Sequence, residues 1–227
     1  MRTKVRRRHD AHMRAQSVCA EHREWFDGTP GGQKARAALG THVADVDRLH
    51  ALQDRLMEDG RAATEQCRQC RRTLRAAARA IVMVGRIVNL DDPIMDTLPV
   101  PGHMSDDKLL AYVRELLERV SPHADAFVAE GLPPGVLQQL GDGITALEAA
   151  REARSTSRRR FTAASESIGE TLDYADKTVD VLEAILITTP AAPPEVLAKL
   201  SIARRVGPRV SLPEPTAPQV TPADKAA

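Results

Sequence analysis

Cys67 and Cys70, three residues apart in "TEQCRQCRRTLR", are the residues of this chain whose type and spacing most directly suggest chemistry. Two thiolates at that spacing can ligate zinc, but a structural zinc site takes four ligands in a tetrahedral array, normally from two such pairs. The nearest second pair is Cys19 and His22. If the chain turns near residue 29, Cys19 lies opposite about residue 39, which leaves Cys67 roughly 40 Å further along a helix. A redox pair of the thioredoxin kind sits at a helix N-terminus after a strand, where the dipole lowers the thiol pKa, and no strand precedes this one. Both cysteines also coincide with a hydrophobic repeat, where Cys behaves as a small hydrophobe. Packing is the leading reading, and a metal held by Cys67 and Cys70 is the alternative.

The histidines form a second set. His9 and His12 share a helix face with Cys19, while His42 and His50 fall on or near the face of the next helix. Inward-facing His on neighbouring helices can hold zinc or haem. The E-x-x-H pairs of di-iron bundles are absent, as is H-E-x-x-H, so surface or partly buried histidines are expected. "GDGITA" matches G-x-G-x-x-A in letters only, because the dinucleotide fingerprint requires a preceding strand. No P-loop, nucleophile elbow or Ser/His/Asp arrangement emerges, so no catalytic residue and no cofactor is assigned.

Arginines make the third set. Arg151, Arg154 and Arg158 fall on the apolar stripe of a helix, where a desolvated and unpaired charge is costly. Either the seam opens to water here, or acids pair with them, or an anion or partner binds, or the helix turns its buried stripe onto Ala146, Ala149, Ala150 and Ala153. The last is favoured. With the basic N-terminal residues 2–8 they also allow contact with nucleic acid, although stacking aromatics and a helix-turn-helix pattern are missing.

These residues sit on helices that the sequence punctuates clearly. A first helix is expected over about 5–26, ending at "DGTPGG". Over about 33–88 apolar or small residues recur in alternating steps of three and four: Leu39, His42, Val46, Leu49, Gln53, Leu56, Gly60, Ala63, Cys67, Cys70, Leu74, Ala77, Ile81, Val84, Val88. Such a seam faces a partner helix. Gly60 is the one place where this helix is liable to break, since an interior Gly costs about 1 kcal/mol against Ala. A proline-bearing connector at 89–104 leads to a helix capped by Ser105, with Asp106 and Asp107 in its first turn. After Pro133-Pro134 a second long seam runs Leu137, Leu140, Ile144, Leu147, through the arginines, to Phe161, Ser165, Ile168, Leu172, Ala175, Val179, Leu182 and Leu186. A short amphipathic helix near 194–206 precedes a Pro-rich tail, 207–227, expected to be disordered.

No stretch alternates with period two, so the expected fold is all-α. Two long antiparallel helices of matching length, flanked by shorter ones, make an elongated four-helix bundle with coiled-coil-like packing, one domain over 1–206. Aromatic content of 3% fits a core of aliphatics and alanines, and a net charge of +1 supplies no global field for nucleic acid. The run "AIVMVGRIV" is far too short to span a bilayer, and no secretory h-region follows the basic N-terminus. A soluble, cytoplasmic setting is the expectation. Residues 61–86 carry seven arginines and one acid, Glu65, whereas 170–183 carry five acids and Lys177. These two stretches are expected to complement each other, within the molecule or between copies.

"LPVPGHMSDDKLLAYVRELLE" and "FVAEGLPPGVLQQLGDGITALEAA" together resemble a group of uncharacterised all-helical bacterial proteins with a proline loop at this point. The resemblance covers about the middle half of the chain and implies a helical fold without an activity. The expected function is non-enzymatic: a bundle acting through protein contacts, as scaffold, adaptor or self-associating unit. A metal- or ligand-binding bundle using Cys67 and Cys70 is the alternative, and a nucleic-acid-associated bundle the second.

Overall fold

The computed structural model describes residues 3–88 and 101–206, and every regular element among them is a helix. Most of the connector anticipated at 89–104, the tail from 207 and Arg2 lie outside the described residues. In chain order the elements are α1 (Thr3–Glu21), the single-turn α2 (Glu24–Asp27), α3 (Pro30–Gly85), α4 (Asp106–Val120), a 3-10 turn (Ser121–His123), α5 (Ala124–Ala129), α6 (Val136–Thr188) and α7 (Pro194–Arg204). The protein is all-α, and no helix among the described residues is long and apolar enough to cross a membrane.

The helix ends follow local chemistry. The first helix stops at Glu21, earlier than its pattern suggests, and α2 makes a separate turn before α3. Pro30 opens α3, and Gly32 N donates to Thr29 Oγ1 at 3.1 Å. A Cβ on Gly32 would stand 2.1 Å from the Phe26 carbonyl oxygen, so the α2–α3 corner closes only around glycine. Arg36 locks that corner, donating from Nε and Nη2 to the two Asp27 carboxylate oxygens at 3.0 and 3.1 Å. Gly60 does not interrupt α3, which runs as one helix of 56 residues. Ser105 caps α4 as its sequence suggests, its side chain accepting from Lys108 N at 3.4 Å.

By its internal packing the chain divides into two compact units, to which both long helices contribute. Unit 1 comprises Met1–His50 and Glu166–Ala227, and unit 2 comprises Ala51–Ser165. In unit 1 four helices surround a core of Ala15, Cys19, Phe26, Leu39, Val179, Leu182 and Leu200, with Val46 stacked on Ile168 and Leu172. In unit 2, α3 and α6 are joined by α4 and α5 around Leu74, Ile81, Leu109, Val113, Leu116, Phe127, Leu140 and Leu147. Burying a leucine or phenylalanine of this set contributes about 1.5–3 kcal/mol, so these contacts, more than helix propensity, hold the helices.

Within unit 2 the register of α3 against α6 is antiparallel. Gln53 meets Ser165 through a 2.6 Å hydrogen bond, Gly60 faces Ser157, and Leu74 packs against Gly143, where a Cβ would come within 2.8 Å of the leucine. All fifteen seam positions expected on α3 are buried or half-buried. On α6 the seam departs from expectation in the middle. Arg154, Arg158, Phe161 and Ser165 are exposed, while Ala150 and Ala164 are buried and Ser157 is half-buried. The stripe has rotated by one residue onto these small side chains, not onto Ala149 and Ala153, which are exposed.

Candidate functional site

Cys67 is fully buried in the unit 2 core, and Cys70 is half-buried against the same cluster. Both sulfurs are free thiols on the side of α3 that carries Leu74 and Ile81. No group of three or more His, Cys, Asp or Glu gathers anywhere among the described residues in a way that could hold a metal. Cys19, the other half of the conceivable four-ligand set, belongs to unit 1, where burial pushes its thiol up to about 12 and leaves it protonated at neutral pH. The C-x-x-C spacing coincides with two successive seam steps, and no observation favours metal ligation.

The arginines between and after the cysteines do come together. Arg68, Arg71, Arg72 and Arg75 of α3, with His103, Met104, Ser105 and Asp106 at the start of α4, line a cleft of about 490 Å³. Arg71 is fixed by a two-pronged pair with Asp106, in which Nη2 donates to Oδ2 at 2.7 Å and Nε to the other oxygen. The hydrogen bond from Arg71 and the charges of Arg71, Arg151 and Arg154 hold the Asp106 carboxyl below the usual carboxylate range. Arg75 Nη2 donates to the Met104 carbonyl at 3.1 Å, while its Nε is buried with no hydrogen-bond partner. Arg68 pairs only with the exposed Glu65 one turn earlier, and Arg72 makes no ion pair or hydrogen bond among the described residues. Of the two arrangements expected for 61–86 and the acids of 170–183, pairing within one molecule is not seen among the described residues. The register of unit 2 sets the arginines opposite the residues preceding Ser165, and the acids find other partners in unit 1.

The patch singled out on α6 is divided. Arg151 is held by Asp107 at 2.7 Å and Asp106 at 4.0 Å, so an internal acid pair neutralises it. Arg159 pairs with Glu152 at 2.8 Å. Arg154, Arg158 and Arg160 are exposed and have no ion pair among the described residues.

In unit 1 the basic N-terminal helix turns one of its charges, Arg8, toward the acids of α6, while Lys4, Arg6, Arg7 and Arg14 stay exposed. Arg8 Nη2 donates to Asp173 Oδ1 at 2.6 Å and to Asp176 Oδ2 at 2.5 Å. His12 is buried with Nε2 2.6 Å from Asp176 Oδ1, and His9, also buried, stands 3.4 Å from Asp47 and edge-on to the His50 ring. Burial lowers the His12 pKa, outweighing the opposite pull of Asp176. Burial alone would raise Asp176, but the hydrogen bonds from His12 and Arg8 keep it below the usual carboxylate value. His42 is half-buried, its ring stacked on Tyr174 at 6.2 Å between centroids. At the other end of the acidic stretch Arg204 of α7 takes Asp180 at 2.5 Å and Glu183 at 2.7 Å. With Arg8 so engaged, the N-terminal arginines lose one of the charges on which a nucleic-acid contact rested.

No protein-family model matches the chain, and neither a similar curated protein nor a similar solved structure was found.

Proposed function

We propose that this chain acts by contact and not by catalysis, as a helical protein that associates with a second copy of itself along the stretch of α3 and α6 formed by residues 51–66 and 151–165. The observation that carries this reading is the burial pattern of α6. From Arg151 to Ala163 the helix continues without a break, yet no residue of that run is buried. Only Arg151, Thr156 and Ser157 are half-buried there, and a helix so thinly covered over more than three turns is ordinarily solvent-bridging or meets something else.

Charge supports a second copy as the occupant. Asp54, Glu58 and Asp59 on α3 are exposed without ion pairs among the described residues, as are Arg154, Arg158 and Arg160 on α6. A two-fold contact is self-complementary, so each copy must offer both halves of the match, and this stretch does. Leu52, Met57 and Phe161, between 38% and 43% exposed, add the apolar area that such a contact needs.

Sedimentation equilibrium of the full chain tests the reading. The wild type is expected to dimerise at micromolar concentration, and the Arg154→Glu/Arg158→Glu variant to be monomeric. Mixing that variant with Asp54→Arg/Glu58→Arg should restore a mixed dimer. A wild type that stays monomeric, or a charge-reversed variant that dimerises unchanged, would overturn it.

A further inference from the structure

We infer that the arginine cleft of unit 2 is a binding site for a compact ligand bearing two or three linked phosphates. The residues that line the cleft, 68–75 and 103–106, lie outside the stretches of the proposed self-association, and either stands without the other.

Four guanidinium groups border this cleft, against the carboxylates of Asp106 and Glu65. Asp106 is committed to Arg71 and Arg151, so it orients one wall of the cleft and does not neutralise the rest. Glu65 reaches Arg68 in an exposed pair one turn apart, a kind that contributes well under 1 kcal/mol and yields readily to a stronger anion. Among the described residues Arg72 makes no ion pair or hydrogen bond, and Arg75 gives only one, from Nη2 to the Met104 carbonyl, with its Nε shielded from solvent. The N-terminus of α4, a helix of 15 residues capped by Ser105, opens on the same cleft and adds its positive end.

The ligand class follows from shape and lining. Arg68, Arg71, Arg72 and Arg75 stand at i, i+3, i+4 and i+7, so their stems span two helical turns, roughly 10 Å. That is more than one tetrahedral oxyanion occupies and suits a linear di- or triphosphate. Planar guanidinium forks match phosphate oxygens two at a time, which a row of lysines would not. The cleft has no Phe, Tyr or Trp in its wall, so only His103 and the guanidinium planes could stack on a nucleobase. The phosphates are therefore the recognised part, whether they belong to a free small anion or to the end of a longer phosphate chain.

Calorimetric titration of the full chain with orthophosphate, pyrophosphate, tripolyphosphate, long-chain polyphosphate and ATP tests this at fixed ionic strength. Pyrophosphate and tripolyphosphate are expected to bind at least tenfold tighter than orthophosphate, with ATP no tighter than tripolyphosphate. Equal affinity per site for short and long chains assigns the site to the small anion, and a marked gain with length assigns it to the chain end, both within the class. Arg72→Gln/Arg75→Gln should lose at least roughly tenfold, and Arg23→Gln/Arg205→Gln, which removes the same charge at two exposed positions of unit 1, should lose less than twofold. As a check independent of variants, pyrophosphate should raise the thermal midpoint of the wild type more than sulfate of equal ionic strength. Equal losses in both double variants, ATP binding far tighter than tripolyphosphate, or no wild-type binding at low salt would each overturn the inference.

Discussion

The two units handle charge in opposite ways. In unit 1 the acids of 173–183 are claimed by basic groups brought from α1 and α7: Arg8 and His12 on Asp173 and Asp176, Arg204 on Asp180 and Glu183. In unit 2 fifteen arginines and Lys108 stand against sixteen acids, yet Arg72, Arg154, Arg158 and Arg160 make no ion pair among the described residues. A charge that is answered within its own unit contributes to holding that unit together. A charge that is left unanswered contributes little or opposes folding slightly, and its presence makes most sense as a handle for something outside. Stability and binding should therefore separate between the units.

The largest effect is expected where the unit 1 network converges. Asp176→Ala strips the buried His12 and the half-buried Arg8 of their shared acceptor, and should cost about 2 kcal/mol by denaturant unfolding. Asp176 is itself partly exposed, which keeps the figure from being larger. A loss below about 0.5 kcal/mol would mean that the unit 1 charges are surface ornament, and the contrast between units would collapse.

Acid should reach the two units in sequence. The His12 pKa lies below its ordinary value of 6.5, so the unfolded chain takes up that proton first and stability begins to fall as pH drops below that value. Asp176, also depressed, extends the loss to lower pH. In unit 2 the depressed group is Asp106, with an ordinary value of 3.8, so its contribution persists until the carboxylate range is entered. Hydrogen exchange from pH 8 to pH 4 should show α1 losing protection before α4, and His12→Gln should remove the early loss. Simultaneous loss in both helices would refute the assignment.

The helices were legible in the sequence, because a seam is a local periodic signal. On α3 every expected seam position from Leu39 to Val88 is at least half-buried. On α6 the signal failed between Leu147 and Ile168, where Ala150, Ser157 and Ala164 take the inward positions. Small and polar side chains weigh little in a hydrophobic pattern, so the alanines, Ala150 among them, marked a rotation as open without showing which of them face inward. The cleft was half legible. The run of arginines was plain, but its opposite wall, His103 to Asp106, comes from a separate element whose approach no periodicity encodes. The same holds for Asp176 and His12, which lie 164 residues apart.

A smaller effect is expected in unit 2 from Asp106→Asn. Arg71 and Arg151 lose their charged acceptor while Asn retains the shape, and unfolding should become easier by about 1 kcal/mol. Pyrophosphate affinity should rise in the same variant by severalfold, since a competing carboxylate has left the cleft. Stability and affinity moving in the same direction would show that the Asp106 carboxylate positions Arg71 for a ligand and does not compete with one.

The smallest effect is the most discriminating. Arg8 and Arg72 are the same residue type on helices of the same protein, and they differ in what faces them. Arg8→Ala gives up two carboxylate contacts and should cost roughly 1–2 kcal/mol. Arg72→Ala gives up none, removes a like charge from beside Arg68, Arg71 and Arg75, and replaces it with a better helix former. Its expected change is between zero and a gain of about 0.5 kcal/mol, measured by denaturant unfolding in low salt, with the gain shrinking as salt screens the cluster. A clear loss at Arg72 would show that its guanidinium already holds something in the folded chain. The cleft would then be a satisfied part of unit 2, and the difference between the units would lie in geometry and not in unanswered charge.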